Sequence, residues 1–212
     1  MKTFYAAGSE TSSVGISWSL FFLSTRKEMV AKLRNEIDEY FVYDETNCEY
    51  KIKSMEDTSN LIYCSAVWKE TLRLASPASM LRLELNEEYD EYELSDGTVV
   101  GRGESVEINV DGFGRDELVF DEPLEFSPER WLNTDAKKLK EMNDCFFTFG
   151  GGRRICPGMQ LANVEGALIL AYLVFHFDFD LGCDENEINR VLNFTVIPNK
   201  MPINFKKRAG LR

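Results

Sequence analysis

The chain has 212 residues, of which 44% are hydrophobic and 12% aromatic, and its formal net charge is −12 at pH 7. This composition excludes a disordered chain and is sufficient for a hydrophobic core, in one large domain or in two small ones. The negative charge argues against a nucleic-acid partner, because phosphate backbones are bound by Lys and Arg.

The cysteine and histidine contents restrict the compartment and the metal chemistry. Five cysteines, an odd number without a Cys-x-x-Cys pair, indicate a reducing compartment and no disulfide framework. The single histidine, His176, excludes a zinc site made of several histidines and is expected in the core or against a partner. The apolar runs at residues 16–23 and 167–177 are too short to cross a bilayer, and no secretory signal is expected.

Three helices are predicted in the first third of the chain. Residues 4–23 have helical composition, residues 26–40 repeat apolar side chains at helical spacing, and residues 60–74 form a third helix. Residues 41–59 between them are polar and are predicted to form a loop, with a short turn at residues 54–57. The second helix is interpreted as a solvated scaffold element.

A strand pattern follows the third helix. Residues 80–85 alternate as a strand, which is predicted to pair with residues 106–110. Asp96-Gly97 marks a hairpin turn between them, because this dipeptide favours tight turns. The acidic run at residues 87–93 is predicted to be the solvated end of that hairpin.

A long apolar helix is predicted at residues 158–177, near the end of the chain. Its inward-facing stripe, chosen by helical spacing, consists of Leu161, Val164, Leu168, Ala171 and Val174. Residues 194–197 and 203–205 are then predicted as two strands around a Pro-Asn turn. This part of the chain is therefore expected to be structural.

Two polar patterns on the predicted helices are candidates for function. Glu10 and Thr11 are an acid and a hydroxyl on one turn, close to Gly8, which weakens the helix. They fit either a helix N-cap with an acidic first turn or a functional pair. Glu70 and Arg73 are three residues apart and share a helix face, which is also ordinary for an exposed ion pair.

The segment at residues 149–158, called the cysteine loop below, concentrates the unusual features of the chain. Glycines at residues 150–152 permit positive φ angles, and Pro157 suits the first turn of the helix that follows. Cys156 would lie at the helix N-terminus, where backbone N–H groups and the dipole stabilise an anion, so it is a candidate thiolate. The alternatives are a small buried hydrophobe and a phosphate-binding loop, although the lysine of a P-loop is missing.

The spacing within the cysteine loop favours the functional interpretation. Phe-x-x-Gly-x-Arg-x-Cys-x-Gly is matched at all five fixed positions, by Phe149, Gly152, Arg154, Cys156 and Gly158. Chance would produce this match in about one chain in ten thousand or fewer. The segment resembles the haem-binding loop of the cytochrome P-450 family, the haem-thiolate monooxygenases.

Three other segments resemble motifs of the same family. Residues 7–12 resemble its oxygen-activation motif, residues 69–74 its Glu-x-x-Arg motif and residues 128–131 its Pro-Glu-Arg-Phe motif. The resemblance implies that Thr11 hydrogen-bonds dioxygen and that Glu10 helps to relay protons. It also implies a buried structural triad made of Glu70, Arg73 and Arg130, which would hold the cysteine loop.

The resemblance also implies which residues contact the haem, a haem b. These residues are Phe149, Gly152, Arg154, Cys156, Gly158 and Arg82. Cys156 would be the axial metal ligand, Arg154 would bind a propionate, and Phe149 would shield the sulfur. Gly114 stands where the family has the histidine of a His-Arg-Asp turn, so a haem contact through that histidine is not expected here.

The implied fold is mainly α with small β-sheets, as the C-terminal portion of the cytochrome P-450 fold. Residues 1–212 would be the C-terminal part of a single domain whose N-terminal half is absent. The implied activity is the insertion of one oxygen atom from dioxygen into an apolar small organic substrate. Electrons would come from NADPH through a reductase- or ferredoxin-type redox partner.

Partners and location follow from the same resemblance. Arg153 with Lys137, Lys138 and Lys140 forms either a docking face for the redox partner or an ordinary solvated surface. The parent enzyme is expected at the cytosolic face of the endoplasmic reticulum membrane, through an anchor that this chain lacks. The alternative is a catalytically incompetent fragment that acts at most as a haem-binding or interaction module.

Overall fold

A computed structural model of the chain describes residues 2–53, 60–86 and 88–211. The helices of this part are α1 (Lys2–Ser24), α2 (Lys27–Ile37), α3 (Ile62–Leu74), α4 (Val110–Phe113), α5 (Ala136–Asp144) and α6 (Met159–His176). Helices α1, α2, α3 and α6 pack against one another and enclose the main hydrophobic core. The three predicted N-terminal helices and the long C-terminal helix are confirmed, with ends that differ by a few residues.

The strands form separate two-stranded antiparallel sheets. The pairs are β1 (Phe41–Asp44) with β2 (Glu49–Ile52), β3 (Met80–Glu84) with β6 (Ser105–Asn109), β4 (Glu91–Glu93) with β5 (Val99–Gly101), β7 (Phe177–Leu181) with β10 (Ile203–Lys207), and β8 (Arg190–Leu192) with β9 (Val196–Pro198). The predicted class, mainly α with small sheets, is therefore confirmed.

Trp68 on α3 is the centre of the helix packing. A Cβ atom at Gly15 of α1 would lie 2.5 Å from Cη2 of Trp68, and one at Gly166 of α6 would lie 2.3 Å from Cε2. Both distances are too short for a real carbon contact, so only glycine lets these two helices approach the indole ring. Trp68 is thus held between α1 and α6, and its Nε1 donates to Asn163 Oδ1 at 3.2 Å.

The segment between α2 and α3 is not the predicted loop. Residues 41–52 form the β1–β2 hairpin, in which Phe41 is opposite Ile52. Phe41 is buried and stacks on Phe175 of α6 with ring centroids 4.1 Å apart. Packing on a distant helix therefore overrides the polar composition of this segment. The predicted turn at residues 54–57 lies outside the described residues.

Helix α6 buries only part of the predicted stripe: Ala171 and Val174 are buried and Leu168 is partly buried. Leu161 is 69% exposed and Val164 is 43% exposed, so the prediction was wrong for these two residues. The buried residues are Gly166, Ala167, Leu170, Ala171, Val174 and Phe175. Because α6 is apolar on all sides, spacing alone did not identify the core face. By length and composition this helix also meets the requirement for a membrane span, and one face of it packs on α1 and α3.

The remaining strands agree in part with the predictions. The pairing of β3 with β6 is confirmed, with Met80 opposite Asn109. Strand β4 occupies part of the acidic run and is exposed, and Gly97 (φ 86°) lies in the turn before β5. The two C-terminal strands do not pair with each other, because β9 pairs with β8 and β10 with β7. Residue 87 lies outside the described part.

Candidate functional site

The thiol of Cys156 lies on the exposed cysteine loop between α5 and α6. The Cys156 N–H donates to the Phe149 carbonyl at 2.9 Å, and this hydrogen bond closes the loop. Gly150 (φ 72°) and Gly152 (φ 61°) occupy left-handed backbone conformations, which glycine adopts without a steric cost. Cys156 is exposed and forms no disulfide, so it is not the small buried hydrophobe of the alternative interpretation.

The thiol lies beside the start of α6 rather than within the helix. Helix α6 begins at Met159 with Gly158 as its N-cap, so Pro157 precedes the first helical turn, contrary to prediction. The Met159 N–H donates to the Cys156 carbonyl at 3.3 Å. A Cβ atom at Gly158 would lie 3.8 Å from Cys156 Sγ, which shows how near the thiol is to the helix start.

Contacts with α3 and β3 fix the position of the cysteine loop. Thr148 Oγ1 donates to the Leu72 carbonyl of α3 at 3.0 Å. Phe149 is partly buried and packs against the main core. A Cβ atom at Gly150 would meet Cδ1 of Leu81 on β3 at 3.5 Å. Sequence reasoning missed Thr148, whose only signal was its position just before the motif.

The predicted propionate-binding arginines have exposed guanidinium groups. Arg154 is exposed, and within the described ranges no acidic side chain forms an ion pair with it. Arg82 lies on β3, has a side chain that is 62% exposed, and approaches Glu84 only to 3.4 Å. Both cations are therefore available to an anionic ligand.

The structure brings Glu70, Arg73 and Arg130 into direct contact. With Trp131 we call them the charge cluster. Arg73 Nε and Nη2 donate to Glu70 Oε2 and Oε1 at 2.9 and 2.7 Å, and Arg130 Nε donates to Oε1 at 2.9 Å. The Trp131 indole N–H and the Ser127 backbone N–H also donate to this carboxylate, each at 2.9 Å. The side chains of Glu70 and Arg73 are fully buried, so this is not a surface ion pair.

The two arginines also bind backbone carbonyls of the segment after α4. Arg73 Nη1 donates to the carbonyls of Gly114 and Pro123, each at 2.6 Å. Arg130 Nη1 donates to the Asp121 carbonyl at 2.8 Å. A Cβ atom at Gly114 would lie 2.6 Å from the Arg73 carbonyl oxygen, so the close approach explains why glycine occupies this position.

Glu10 and Thr11 lie within α1 and do not begin a helix. The N-cap interpretation of this pair was therefore wrong. Thr11 Oγ1 donates to the Ala7 carbonyl one turn earlier, at 2.7 Å. The Glu10 carboxylate accepts from Thr195 Oγ1 at 2.8 Å. In the described part of the chain, no hydrogen bond or ion pair joins this pair to the cysteine loop.

Comparison with known proteins assigns the family. The family model described as Cytochrome P450 matches residues 1–205, almost the whole chain. This chain belongs to the cytochrome P450 family. The family to which the sequence motifs were likened is thus confirmed.

Plant cytochromes P450 are among its relatives. The chain is 36% identical to iridoid oxidase of Catharanthus roseus over 217 aligned positions, which cover 100% of this chain and 40% of that protein. It is 34% identical to tabersonine 16-hydroxylase 2 of the same plant, over 88% of this chain and 35% of the relative. It is 30% identical to 2-hydroxyisoflavanone synthase of Glycine max, over 98% of this chain and 38% of that relative. The chain spans about two fifths of the length of these curated relatives.

Two carboxylates connect elements of this cytochrome P450 chain, and sequence reasoning missed both roles. Glu36 of α2 accepts from the backbone N–H groups of Tyr63 and Cys64, at 2.6 and 2.9 Å, and so caps α3 from outside. Glu129 accepts from the Tyr63 hydroxyl at 3.1 Å and pairs with Lys32. Burial acts to raise the pKa of Glu129, but hydrogen bonds from Lys32, its own backbone and Tyr63 hold this pKa below its usual value.

The amine of Lys69 lies over the ring of Trp131, the aromatic member of the charge cluster. Its Nζ lies 4.1 Å from the centroid of the Trp131 ring and 5.2 Å from that of Phe146. Burial lowers the pKa of Lys69 to about 8. This amine is therefore the cationic group near Glu70 whose charge changes just above neutral pH.

Proposed function

We propose that this chain is the haem-binding part of a monooxygenase that inserts one oxygen atom from dioxygen into an apolar small organic substrate. Membership of the cytochrome P450 family supports the proposal, as do relatives named as an oxidase and a hydroxylase. The observation that carries it is the free, exposed thiol of Cys156 on a glycine-rich loop. The chain would form the C-terminal part of a single cytochrome P450 domain, residues 1–212.

The residues around the thiol fit a haem b, for which Cys156 would supply the iron ligand. A Cβ atom at Gly152 would meet no atom within 4 Å, so the loop leaves space on that side. The exposed guanidinium of Arg154 suits a haem propionate, and Arg82 offers a second permanent cation. A haem held by thiolate supplies oxygen activation, which the electron donation of the sulfur favours.

Phe149 and Gly158 stand on either side of Cys156 in the sequence of the cysteine loop. Phe149 would shield the sulfur once haem is bound, and its ring is partly buried 6.3 Å from that of Phe146. Gly158 keeps the start of α6 free of a side chain beside the sulfur. Both residues would shape the space around the thiol and would not take part in the reaction.

The charge cluster would keep the cysteine loop in place. Glu70 is held by two guanidinium groups, which bind a carboxylate with a defined geometry. Arg73 and Glu70 lie on α3, the helix whose Leu72 carbonyl binds Thr148 next to the loop. A rigid α3 would therefore fix the thiol without any contact between the cluster and the haem.

Glu10 and Thr11 would hold and move protons for the reaction. The Thr11 hydroxyl donates to the Ala7 carbonyl, so its two lone pairs remain free to accept hydrogen bonds. It donates to dioxygen only after it turns away from that carbonyl. Glu10 is exposed, which lets its carboxylate exchange protons with water.

Electrons would come from NADPH through a reductase- or ferredoxin-type partner. Arg153 and Lys137 are exposed and Lys138 is partly exposed, so they can meet an acidic partner surface. Lys140 pairs with Asp144 at 2.5 Å and therefore adds less net positive charge. A location at the cytosolic face of the endoplasmic reticulum membrane is proposed for the parent enzyme on the same family basis.

A catalytically incompetent haem-binding or interaction module is the second candidate. Exposed apolar side chains on the outer face of α6 favour it, with Leu161 at 69% and Tyr172 at 48%. Contiguous exposed apolar surface marks a contact with another polypeptide. A chain that depends on such a contact would bind haem weakly by itself.

Carbon monoxide difference spectroscopy after haem titration distinguishes the two candidates. We expect a thiolate-type band in the reduced wild-type protein and its loss in Cys156→Ser. The matched control Cys145→Ser should keep the band, because Cys145 lies outside the cysteine loop. A thiolate band in Cys156→Ser would overturn the ligand assignment, and a haem complex without that band in the wild type would favour the second candidate.

A further inference from the structure

The carboxylate of Glu10 has a partner from the far end of the chain. Thr195 Oγ1 donates to Glu10 Oε1 at 2.8 Å, across 185 positions of sequence. Thr195 is only 2% exposed, whereas Glu10 is exposed. In the described ranges, Thr195 is the one side chain that hydrogen-bonds or ion-pairs with this carboxylate. Thr11 does not hold it, because the Thr11 hydroxyl donates to Ala7.

Contacts that do not involve Glu10 hold the backbone at Thr195. The adjacent Val196 N–H donates to the Pro77 carbonyl at 2.9 Å. Trp18 Nε1, on the same helix as Glu10, donates to the Val196 carbonyl at 3.1 Å. Asn193 N–H closes the turn on the Thr195 carbonyl at 3.0 Å. The backbone that carries the buried Thr195 hydroxyl is therefore held without Glu10, whereas an exposed glutamate side chain by itself samples several rotamers.

We propose that Thr195 is a positioning residue, whose hydroxyl holds the Glu10 carboxylate in one orientation. This inference rests on the proposed function, in which Glu10 relays protons. A hydroxyl suits the task because it has one donor and two acceptor sites. It donates to the carboxylate, and after rotation it accepts from the carboxylic acid. The same partner thus retains Glu10 in both protonation states, and no proton is lost to Thr195.

Substitutions at position 195 can remove the hydroxyl or keep it, and so they test the proposal. Valine has the shape of threonine without the hydroxyl, and serine keeps the hydroxyl. Trp18→Phe removes the indole hydrogen bond between this turn and α1 but keeps the Thr195 hydroxyl, and the Val196 hydrogen bond to Pro77 still holds the turn. These three variants separate the hydrogen bond to Glu10 from the general attachment of the turn.

The first test is a double-mutant cycle on the thermal unfolding of the 212-residue chain, without haem. Glu10→Ala leaves a buried hydroxyl without its acceptor, so we expect the melting temperature to fall by about 2–4 °C. Thr195→Val in that background should restore most of the loss, because no unpaired hydroxyl remains. Additive shifts would overturn the proposal, because they would show that the two side chains do not interact.

The second test uses the haem-loaded enzyme and measures peroxide released per NADPH consumed. Thr195→Val should raise this ratio by about twofold or more, since a misplaced relay group lowers the yield of the reaction it serves. Thr195→Ser and Trp18→Phe should keep the wild-type ratio. A wild-type ratio in Thr195→Val would overturn the assignment of Thr195 and leave the proposed function intact. Failure of the proposed function is seen separately, as a wild-type protein without the Cys156-dependent band.

Discussion

The charge cluster and the cysteine loop use charge in opposite ways. In the cluster, the fully buried Glu70 accepts five hydrogen bonds from Arg73, Arg130, Trp131 and Ser127, so no acceptor capacity is left for a ligand. In the loop, the Cys156 thiol and the Arg154 guanidinium are exposed. Buried charge that is fully paired gives rigidity, whereas an exposed thiol and an exposed cation remain available for binding.

The largest expected effect is that of removing a charge from the buried charge cluster. Glu70→Ala leaves two buried guanidinium groups without their carboxylate, and Arg73→Ala leaves the buried carboxylate without its main partner. We expect the free energy of unfolding to fall by about 3–5 kcal/mol for either variant, because uncompensated buried charge is costly. Urea denaturation of the haem-free chain measures this change.

A variant of the open region provides the control. Cys156→Ser changes one atom of an exposed side chain and should alter the free energy of unfolding by no more than about 0.5 kcal/mol. An effect of Glu70→Ala as small as that of Cys156→Ser would show that the cluster behaves as a solvated ion pair.

The same glycine-to-alanine change in both regions should have unequal effects. At Gly114 the new Cβ would lie 2.6 Å from the Arg73 carbonyl oxygen, so the cluster must shift. We expect a loss of about 1–3 kcal/mol of unfolding free energy from overpacking. At Gly152 the Cβ meets no neighbour, and only the positive φ of 61° is penalised, by about 1 kcal/mol.

Differential scanning calorimetry of Gly114→Ala and Gly152→Ala compares the two sites. The affinity for haem gives a second measurement. Gly152→Ala should lower this affinity more than Gly114→Ala does, because Gly152 lies in the cysteine loop. Equal losses of stability at the two sites would contradict the contrast between a packed and an open region.

The smallest expected effect is a dependence of stability on pH caused by Lys69. Burial lowers the pKa of Lys69 from 10.5 to about 8, so between about pH 8 and pH 10 the unfolded chain binds more protons at this site than the folded chain. Lys69 therefore contributes a rise in the free energy of unfolding with pH in this window, opposite in sign to the contribution of the buried Cys64 thiol, whose pKa is raised by burial. Urea denaturation at a series of pH values measures the slope.

Lys69→Met should remove the Lys69 contribution, which is measured as the difference between its pH curve and that of the wild type, and the exposed control Lys137→Met should keep it. Parallel curves for the wild type and Lys69→Met would contradict the prediction. They would indicate that the Trp131 ring, 4.1 Å from Nζ, stabilises the ammonium enough to offset its burial.

Local spacing predicted most of the candidate functional elements, but it did not predict the residues that hold them in place. The cysteine loop was predicted because positive-φ glycines and a proline near a helix start are local features. The i,i+3 spacing placed Glu70 and Arg73 on one face, but only the fold buried them. Thr148 and Glu36 were missed because their partners, Leu72 and the start of α3, are distant in sequence.

By itself, the sequence determined the family, the helices α1, α2, α3 and α6, and the chemical identity of the candidate ligand Cys156. These features depend on short-range periodicity and on fixed motif spacing, which the linear chain contains. The tertiary structure decided that the buried face of α6 begins only at Gly166, that residues 41–52 form a hairpin, and that Thr195 meets Glu10. Those outcomes depend on which surfaces meet when the chain folds, and local composition does not contain that information.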